Sequence, residues 1–584
     1  MSFLIHRTLE VTDCKKGTRP RRGLSWEGKD TDMAGHGGQL LVDQLKVHGV
    51  KRVFSVPGES FLAALDGLVD SGITNVVCRH EGAAAMMAEA TGKLTGRPGV
   101  AFVTRGPGAS NASAGVHIAR QDSTPMILFV GQIARGHRDR EAFQEVDYKS
   151  FFGTVAKWVA EVDDTDRLPE YINRAFRIAQ SGRPGPVVLA LPEDMLSAQT
   201  VSAVLPATEV EEPAVTAEQV GRIQSLLQAS KRPLVIAGGA GWSPQAARDL
   251  EDFATKNSLP VAVSFRRQDY INNEAGTFVG DLGVGMNPKL AAMLQQSDCL
   301  LILGSRFGDI PTAGYELVNV ADPGKTIIHV HPDPAVPGSV YAAHLAITAA
   351  ATNAVAALKD ADVMVEPGWS DWVAAGRANY LAWQKPKETP GDVKMEQIIT
   401  WLSENLKIDS ILTNGAGNYA AFLHRYYRFR EYGTQVAPTS GSMGYGFPAA
   451  IAAKLQFPAK TVVCLAGDGC FQMTLNEMST AAQYGANTIT IVANNGYYGT
   501  IRMHQERKYP GRVSGTDMAS PDFAALARAY GGHGETVTKT ADFAAAFARA
   551  EAAKCPAVIE LKLDAEALST GLTLSETRAL GEKT

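Results

Sequence analysis

The sequence predicts an α/β protein made of three doubly wound parallel-sheet domains, and three observations carry that expectation. The chain has 584 residues, more than a single hydrophobic core accommodates. Short aliphatic and β-branched runs recur along it, bounded by glycine and proline, with helical patterns between them. Strand and helix in alternation imply parallel pairing, because parallel neighbours need a crossover. Two stretches without that alternation, 197–216 and 361–392, read as linkers and divide the chain.

Composition narrows the class. An apolar fraction of 45% with 56 glycines suits a folded α/β chain. A net charge of −5 leaves no broad basic field, so nucleic acid is not an expected partner. The six cysteines are scattered without a Cys-x-x-Cys pair, which fits a reducing, cytoplasmic compartment. No apolar run reaches the roughly 18 residues of a membrane span. Residues 1–33 cluster Lys15, Lys16, Arg19, Arg21 and Arg22 without apolar periodicity. Glu10, Asp13, Glu27, Asp30 and Asp32 argue against a transit peptide, and a disordered extension is expected there.

The first domain is expected over 34–196. Leu41, Val42 and Leu45 form a helical stripe, and 53–56, 75–78, 100–104, 126–130 and 186–192 read as strands. Between the second and third lies a helix of small residues, Ala83-Ala84-Ala85-Met86-Met87-Ala88, suited to close packing. The second domain, 217–360, has strands at 233–237, 299–304 and 326–330, with Gly238-Gly239 after the first. The third, 393–564, has strands at 410–413, 461–466, 488–493 and 557–561. The polar tail 565–584 is expected to lie over the surface.

One stretch of the third domain carries chemistry. The strand 461–466 runs into Gly467-Asp468-Gly469, and the strand 488–493 runs into Asn494-Asn495. An acid and an amide at the ends of two parallel strands meet at the sheet's C-terminal edge, where open α/β sheets bind ligands. A carboxylate with an amide oxygen is a hard ligand set suited to Mg²⁺ or Ca²⁺, with a diphosphate completing the shell.

This pattern resembles the metal and diphosphate motif of thiamine-diphosphate enzymes. Over about 38–570 the chain is similar to their acetolactate synthase-like branch, which includes the acetohydroxyacid synthases and 2-oxo acid decarboxylases. The likeness rests on Val56-Pro57-Gly58, His80-Glu81-Gly82-Ala83-Ala84, Gly106-Pro107-Gly108-Ala109-Ser110-Asn111, Asp122-Ser123-Thr124-Pro125, Gly131-Gln132, Ala142-Phe143-Gln144-Glu145 and Gly441-Ser442-Met443-Gly444-Tyr445-Gly446-Phe447-Pro448. The resemblance implies site roles residue by residue. Asp468, Asn495 and the Tyr497 carbonyl would hold Mg²⁺. Gly469 and Cys470 would offer N–H groups to the diphosphate, and Ala416, Asn418 and Tyr419 would form the loop beside it. Met443 would wedge the cofactor into its bent shape, with Gly441 bonding its pyrimidine. Glu81 would share a proton with the pyrimidine and drive its tautomer shift. Gln144 would enter from a neighbouring subunit, so a homo-oligomer, dimer or tetramer, is implied.

Departures from the family pattern bear on substrate. Pro57-Gly58-Glu59 stands where Pro-Gly-Gly is common, which makes Glu59 a candidate proton carrier; the plain reading is a helix N-terminal glutamate favoured by the dipole. His504 stands where acetohydroxyacid synthases use a tryptophan against the acceptor, and Tyr497, Tyr498, Arg502 and His504 would line a more polar pocket. In the middle domain, Gly238-Gly239 and Arg306-Phe307 match the flavin-binding pattern, whereas Gly308, Ile310 and His331 depart from it; FAD or another adenine nucleotide is left open. The implied activity is decarboxylation of a small-molecule 2-oxo acid and transfer of the acyl carbanion to a carbonyl acceptor. A simple 2-oxo acid decarboxylase, a C–C lyase acting on a diketone or 2-hydroxyacyl-CoA, and a non-catalytic regulatory relative are the alternatives.

Overall fold

Aliphatic runs buried on both faces need parallel partners on both sides, and three six-stranded, wholly parallel sheets provide them. The computed structural model describes residues 35–363 and 368–583; the N-terminal extension expected over 1–33 lies outside the described residues. The first sheet runs, edge to edge, Thr74–Val77, Arg52–Ser55, Gly99–Val103, Met126–Gln132, Pro186–Pro192 and Trp158–Glu161. The third runs Gln435–Val436, Ile411–Asn414, Val462–Gly467, Ile489–Asn494, Ala557–Lys562 and His533–Val537. Numbered within its own domain, each sheet has the order 2-1-3-4-6-5. The sequence shows no repetition between these domains, yet they share one topology. The central sheet differs: Phe278–Leu282, Val261–Ser264, Pro233–Ala237, Cys299–Leu303, Thr326–His331 and Leu345–Thr348, an order of 3-2-1-4-5-6. In each case the strand order reverses beside the domain's first strand, and that point opens a crevice.

The helix Glu81–Thr95 carries out the close packing its composition implies. It starts at His80, whose side chain accepts the Gly82 N–H, and ends at Gly96 with φ 68°. Its neighbours are Pro107–Asp122 and, from the third domain, Gly446–Gln456. A Cβ added at Gly115 would stand 2.4 Å from that of Ala85, so the glycine is required there. Ala83 to Ala90 and Ala449 to Ala453 belong to one hydrophobic core, which joins the first and third domains.

Two segments read as linker and tail prove helical. The expected second linker contains the helix Ser370–Trp383, which packs on the central sheet's edge strand, with Tyr380 edge-on to Phe278 at 4.9 Å. Its buried stripe is Val373, Gly376 and Tyr380, and a glycine in mid-stripe hides the period. The tail also folds. Thr573 and Glu576 form a capping box for the helix Leu574–Gly581, which packs on Gly499–Lys508. Arg578 there grips the buried Glu506 at 2.6 and 2.8 Å.

The central domain is tied to the third by polar contacts. Asp269 accepts the N–H groups of Gly433, Thr434 and Gln435 at 2.9, 3.1 and 3.1 Å. Burial pushes its carboxyl up to about 6, against the pull of those N–H groups and Arg267. A carboxyl raised in the folded state contributes stability fully below its unfolded value near 4 and loses it as pH rises through about 6. Asp269→Asn removes that titration. Relative to the parent protein, its thermal midpoint should therefore rise between pH 4 and 7 and level off above, as followed by scanning calorimetry.

Candidate functional site

The third sheet places its chemistry where its order reverses. Ile411–Asn414 and Val462–Gly467 are adjacent parallel strands, and the segments that follow them, the loop 415–418 and the short helix Asp468–Gln472, diverge. Next to them, Ile489–Asn494 pairs with Val462–Gly467 so that Gly467 stands beside Ala493. This register brings the two halves of the motif together: Asp468 Oδ2 accepts the Gly496 N–H at 2.8 Å and the Ser520 hydroxyl at 3.2 Å, while Oδ1 accepts the Gly469 N–H at 2.8 Å. Burial raises the Asp468 carboxyl above its ordinary range, although these bonds pull it down. Among the described residues no Lys, Arg or His forms an ion pair with it.

The two asparagines part company. Asn494 turns into the core and donates to the buried Glu560 at 2.6 Å. Asn495 faces the cleft, its Oδ1 accepting the Tyr497 N–H at 3.2 Å. Only the fold separates them, because neither has a distinguishing neighbour in sequence.

The cleft has a volume of about 240 Å³ and is lined by Ala416, Asn418, Tyr419, Gly441, Met443, Asp468, Gly469, Cys470, Asn495 and Tyr497. Gly441, with φ 68°, has open space on its Cβ side and leaves the rim clear. Asn418 is held by Thr500, whose Oγ1 accepts its N–H at 2.9 Å and pairs with its side chain at 3.0 Å. Cys470 Sγ accepts the Gly444 N–H at 3.1 Å and the Tyr419 hydroxyl at 3.2 Å. An apolar wall was not anticipated: Met395, Phe422, Leu563, Ala567 and Leu568. Part of it comes from the tail, whose polar composition concealed Leu568.

Metal fit follows from the donors. Among the described residues no three His, Cys, Asp or Glu side chains gather into a metal cluster. One buried carboxylate without a protein cation, one amide and nearby carbonyls form half a shell for a hard divalent ion. A diphosphate would supply the rest, so the residues fit a metal held jointly with such a ligand.

The remaining candidates lie elsewhere. Glu81 opens its helix at the C-terminal edge of the first sheet and accepts the Asn111 amide at 2.9 Å. Its Oε1 stands 3.3 Å from where a Gly108 Cβ would be, a tight fit that the glycine relieves. Gln144, at φ 65°, packs against Gly106, and Glu59 pairs with Arg105 at 3.0 Å. Glu59 is both the first residue of the short helix Glu59–Phe61 and an ion-pair partner, its side chain 66% exposed. These groups share one sheet edge, but no first-domain residue lines the cleft of the same chain. His504 is exposed and outside the lining; Arg502 is drawn off by Glu506 at 3.1 Å and Asp517 at 3.4 Å. Of the expected polar four, Tyr497 and Tyr498 line the cleft.

The central domain holds a second cavity of about 360 Å³ at its own switch point, lined in part by Gly239, Arg267, Ser305, Arg306 and Asp309. Packing alone accounts for Gly238-Gly239: added Cβ atoms would meet Ser264 Oγ at 1.9 Å and the Gly304 carbonyl at 1.8 Å. His331 is buried, its imidazole pushed down to about 4 by desolvation and the neighbouring His329, and it bonds to the Asp333 backbone.

Comparison with known proteins agrees across the chain. Residues 35–151, 220–358 and 415–561 match the models described as the N-terminal TPP binding domain, the central domain and the C-terminal TPP binding domain of thiamine pyrophosphate enzymes. The acetolactate synthase large subunit of Haemophilus influenzae is 32% identical over 514 residues, 85% of this chain and 88% of that protein. The acetolactate synthase isozyme 3 large subunit of Escherichia coli is also 32% identical, over 515 residues, with the same coverage of each chain. An acetolactate synthase of Mycobacterium bovis is 31% identical over 550 residues, 91% of this chain and 88% of its own.

Asp468 should carry the metal-dependent part of cofactor affinity. In Asp468→Ala, calorimetric titration with thiamine diphosphate and Mg²⁺ should show binding weakened at least ~100-fold, the scale of losing a charge-assisted contact and a bridging ion. Unchanged affinity would remove the metal assignment.

Proposed function

Because the chain belongs to the thiamine pyrophosphate enzymes, in their acetolactate synthase-like group, we propose that it decarboxylates a 2-oxo acid and transfers the acyl unit to a carbonyl acceptor, with thiamine diphosphate and Mg²⁺ as cofactors. The observation that carries this reading is the buried, cation-free Asp468 carboxylate beside Asn495 in the switch-point cleft. When bound, thiamine diphosphate supplies a carbon nucleophile and an electron sink for loss of CO₂.

The chain's own residues bind, orient and move protons. Asp468, Asn495 and the Tyr497 carbonyl would hold Mg²⁺; Gly469 and Cys470 would bind the diphosphate, with the loop of Ala416, Asn418 and Tyr419 beside it. Met443 supports the ring system and Gly441 the pyrimidine. The wall of Met395, Leu563 and Leu568 gives the cleft an apolar side, which would limit water there and strengthen the charges inside. Glu81 holds a proton at the pyrimidine, positioned by Asn111. Since Glu81, Gln144 and Glu59 sit on a different sheet edge from the cleft, a second copy of the chain supplies them. Exposed apolar side chains near both halves support such a contact: Phe143 at 74%, Ile501 at 54% and Met473 at 52%. Gln144 and Glu59 then face substrate, and His504 is a candidate only through the same association. The central cavity, at a switch point with Arg306 and Arg267 in its lining, suits FAD or another adenine nucleotide.

Among the described residues no helix is long and apolar enough to cross a membrane. Cys78, Cys299, Cys464, Cys470 and Cys555 are all free thiols, which supports a cytoplasmic setting.

Product analysis with pyruvate tests the reaction. Acetolactate is the expected product; acetaldehyde alone would replace carboligation by simple decarboxylation. Glu81→Gln should lower turnover at least ~100-fold, in keeping with loss of a general acid–base group. Its affinity for thiamine diphosphate should stay within a few-fold. Full thiamine-dependent turnover in that variant would contradict the role given to Glu81.

A further inference from the structure

Arg266 lies just beyond the central strand Val261–Ser264 and has no part in the assignments above. Its backbone is left-handed at φ 60°, a conformation that side-chain-bearing residues hold only when their surroundings enforce it. Only 3% of the residue is exposed. Burial pulls its guanidinium below the usual range, with Asp122 and Asp281 acting only from a distance. Among the described residues it forms no ion pair, and its Nε has no hydrogen-bond partner. Its guanidinium also lies over the Phe265 ring at 4.8 Å, and a buried cation without a carboxylate partner is costly to keep. Its neighbour Arg267 is likewise buried and likewise donates to backbone carbonyls, but to those of Gly239, Arg266 and Asp122, none of them in the third domain.

The two carbonyls that Arg266 holds are specific. Nη2 donates to the Gly415 carbonyl at 2.7 Å, and Nη1 donates to the Pro438 carbonyl. Gly415 is the root of the loop that carries Ala416, Asn418 and Tyr419 into the cleft. Pro438 is the root of the other: its carbonyl also accepts the Gly441 N–H at 3.1 Å, closing the turn before Met443. One planar fork therefore spans the bases of both loops. Their separation is transmitted inward without slack. A Cβ on Gly415 would meet Cys470 Sγ at 2.4 Å, and that sulfur takes the hydroxyl of Tyr419 and the N–H of Gly444.

We propose that Arg266 is a positioning residue for thiamine diphosphate: its guanidinium sets the spacing between the 415–419 and 438–443 loops and preshapes the cleft. The central domain, which contributes no side chain to the cleft lining, becomes part of the cofactor site through this one residue. The inference rests on the reading of the cleft as the thiamine diphosphate site.

The test measures thiamine diphosphate affinity of the full chain at saturating Mg²⁺, together with kcat at saturating cofactor. Binding by the parent protein that is lost in Asp468→Ala secures the site itself; absence of both would overturn the cleft reading and this inference with it. Given that binding, Arg266→Ala should weaken affinity at least ~10-fold, as expected when two buried carbonyls lose a charged donor. Its kcat at saturating cofactor should remain within about threefold, and guanidinium ion should restore most of the affinity. Leu301→Ala, which opens a cavity in the central sheet far from either loop, should leave affinity within about threefold. The proposal is overturned if Arg266→Ala binds like the parent, if Leu301→Ala matches its loss, or if guanidinium does not restore binding. Should Arg266→Ala fail to fold, Arg266→Lys decides alone: an ammonium serving one carbonyl weakens binding ~10-fold if the fork matters, and parent-like affinity overturns the proposal.

Discussion

The rest of the structure depends on how closely two helices approach each other. Glu81–Thr95 of the first domain and Gly446–Gln456 of the third meet through alanine and glycine, and a shared core forms across the domain boundary. Larger side chains would hold the helices apart, and interiors tolerate little added volume. This contact settles which face of the first domain is turned toward the third. It leaves Glu81 and its companions on a separate edge from the cleft of their own chain. The proposal that a second copy supplies them follows from that packing.

Around this joint the structure buries charge. Lys93 lies against Asp122 and Glu89, Tyr445 donates to Glu89 at 2.5 Å, and Thr439 donates twice to Asp122 at 2.8 and 2.6 Å. Burial opposes ionisation of Asp122, yet Lys93 and Arg267 hold its carboxyl below the usual range. Such a network contributes little net stability compared with an apolar core. What it does is admit one arrangement, because any shift of the three domains leaves a charge or a hydroxyl without its partner. Thr439, placed by Asp122, follows Pro438 in the turn that Arg266 pins. The polar junction and the cofactor loops are thus mechanically continuous.

Most of the central strands were legible because a strand buried on both faces must be aliphatic throughout. Edge strands such as Trp158–Glu161 and His533–Val537 were not, since one side faces solvent and their residues are mixed. Leu345–Thr348, also an edge strand, alternates buried and exposed residues, and Val261–Ser264 mixes in alanine and serine, so neither reads as an aliphatic run. The tail helix carried a readable signal, Thr573 three residues before Glu576, which its polarity masked. Asn111, Ser520 and Arg266 left no trace of a role, because each acts on residues distant in sequence: 30, 52 and 149 positions away for Glu81, Asp468 and Gly415.

By itself the sequence determined the three α/β domains, the Gly467-Asp468-Gly469 and Asn494-Asn495 motif and the class of cofactor, because strand patterns and short motifs are local properties of a chain. The tertiary structure alone decided that Asn494 turns instead to Glu560, that Leu568 walls the cleft, that His504 and Arg502 stand outside it and that Asn111 and Ser520 hold Glu81 and Asp468. Those are matters of register, of packing between domains and of which buried groups find partners, and each depends on residues that only folding brings within a few ångströms of one another.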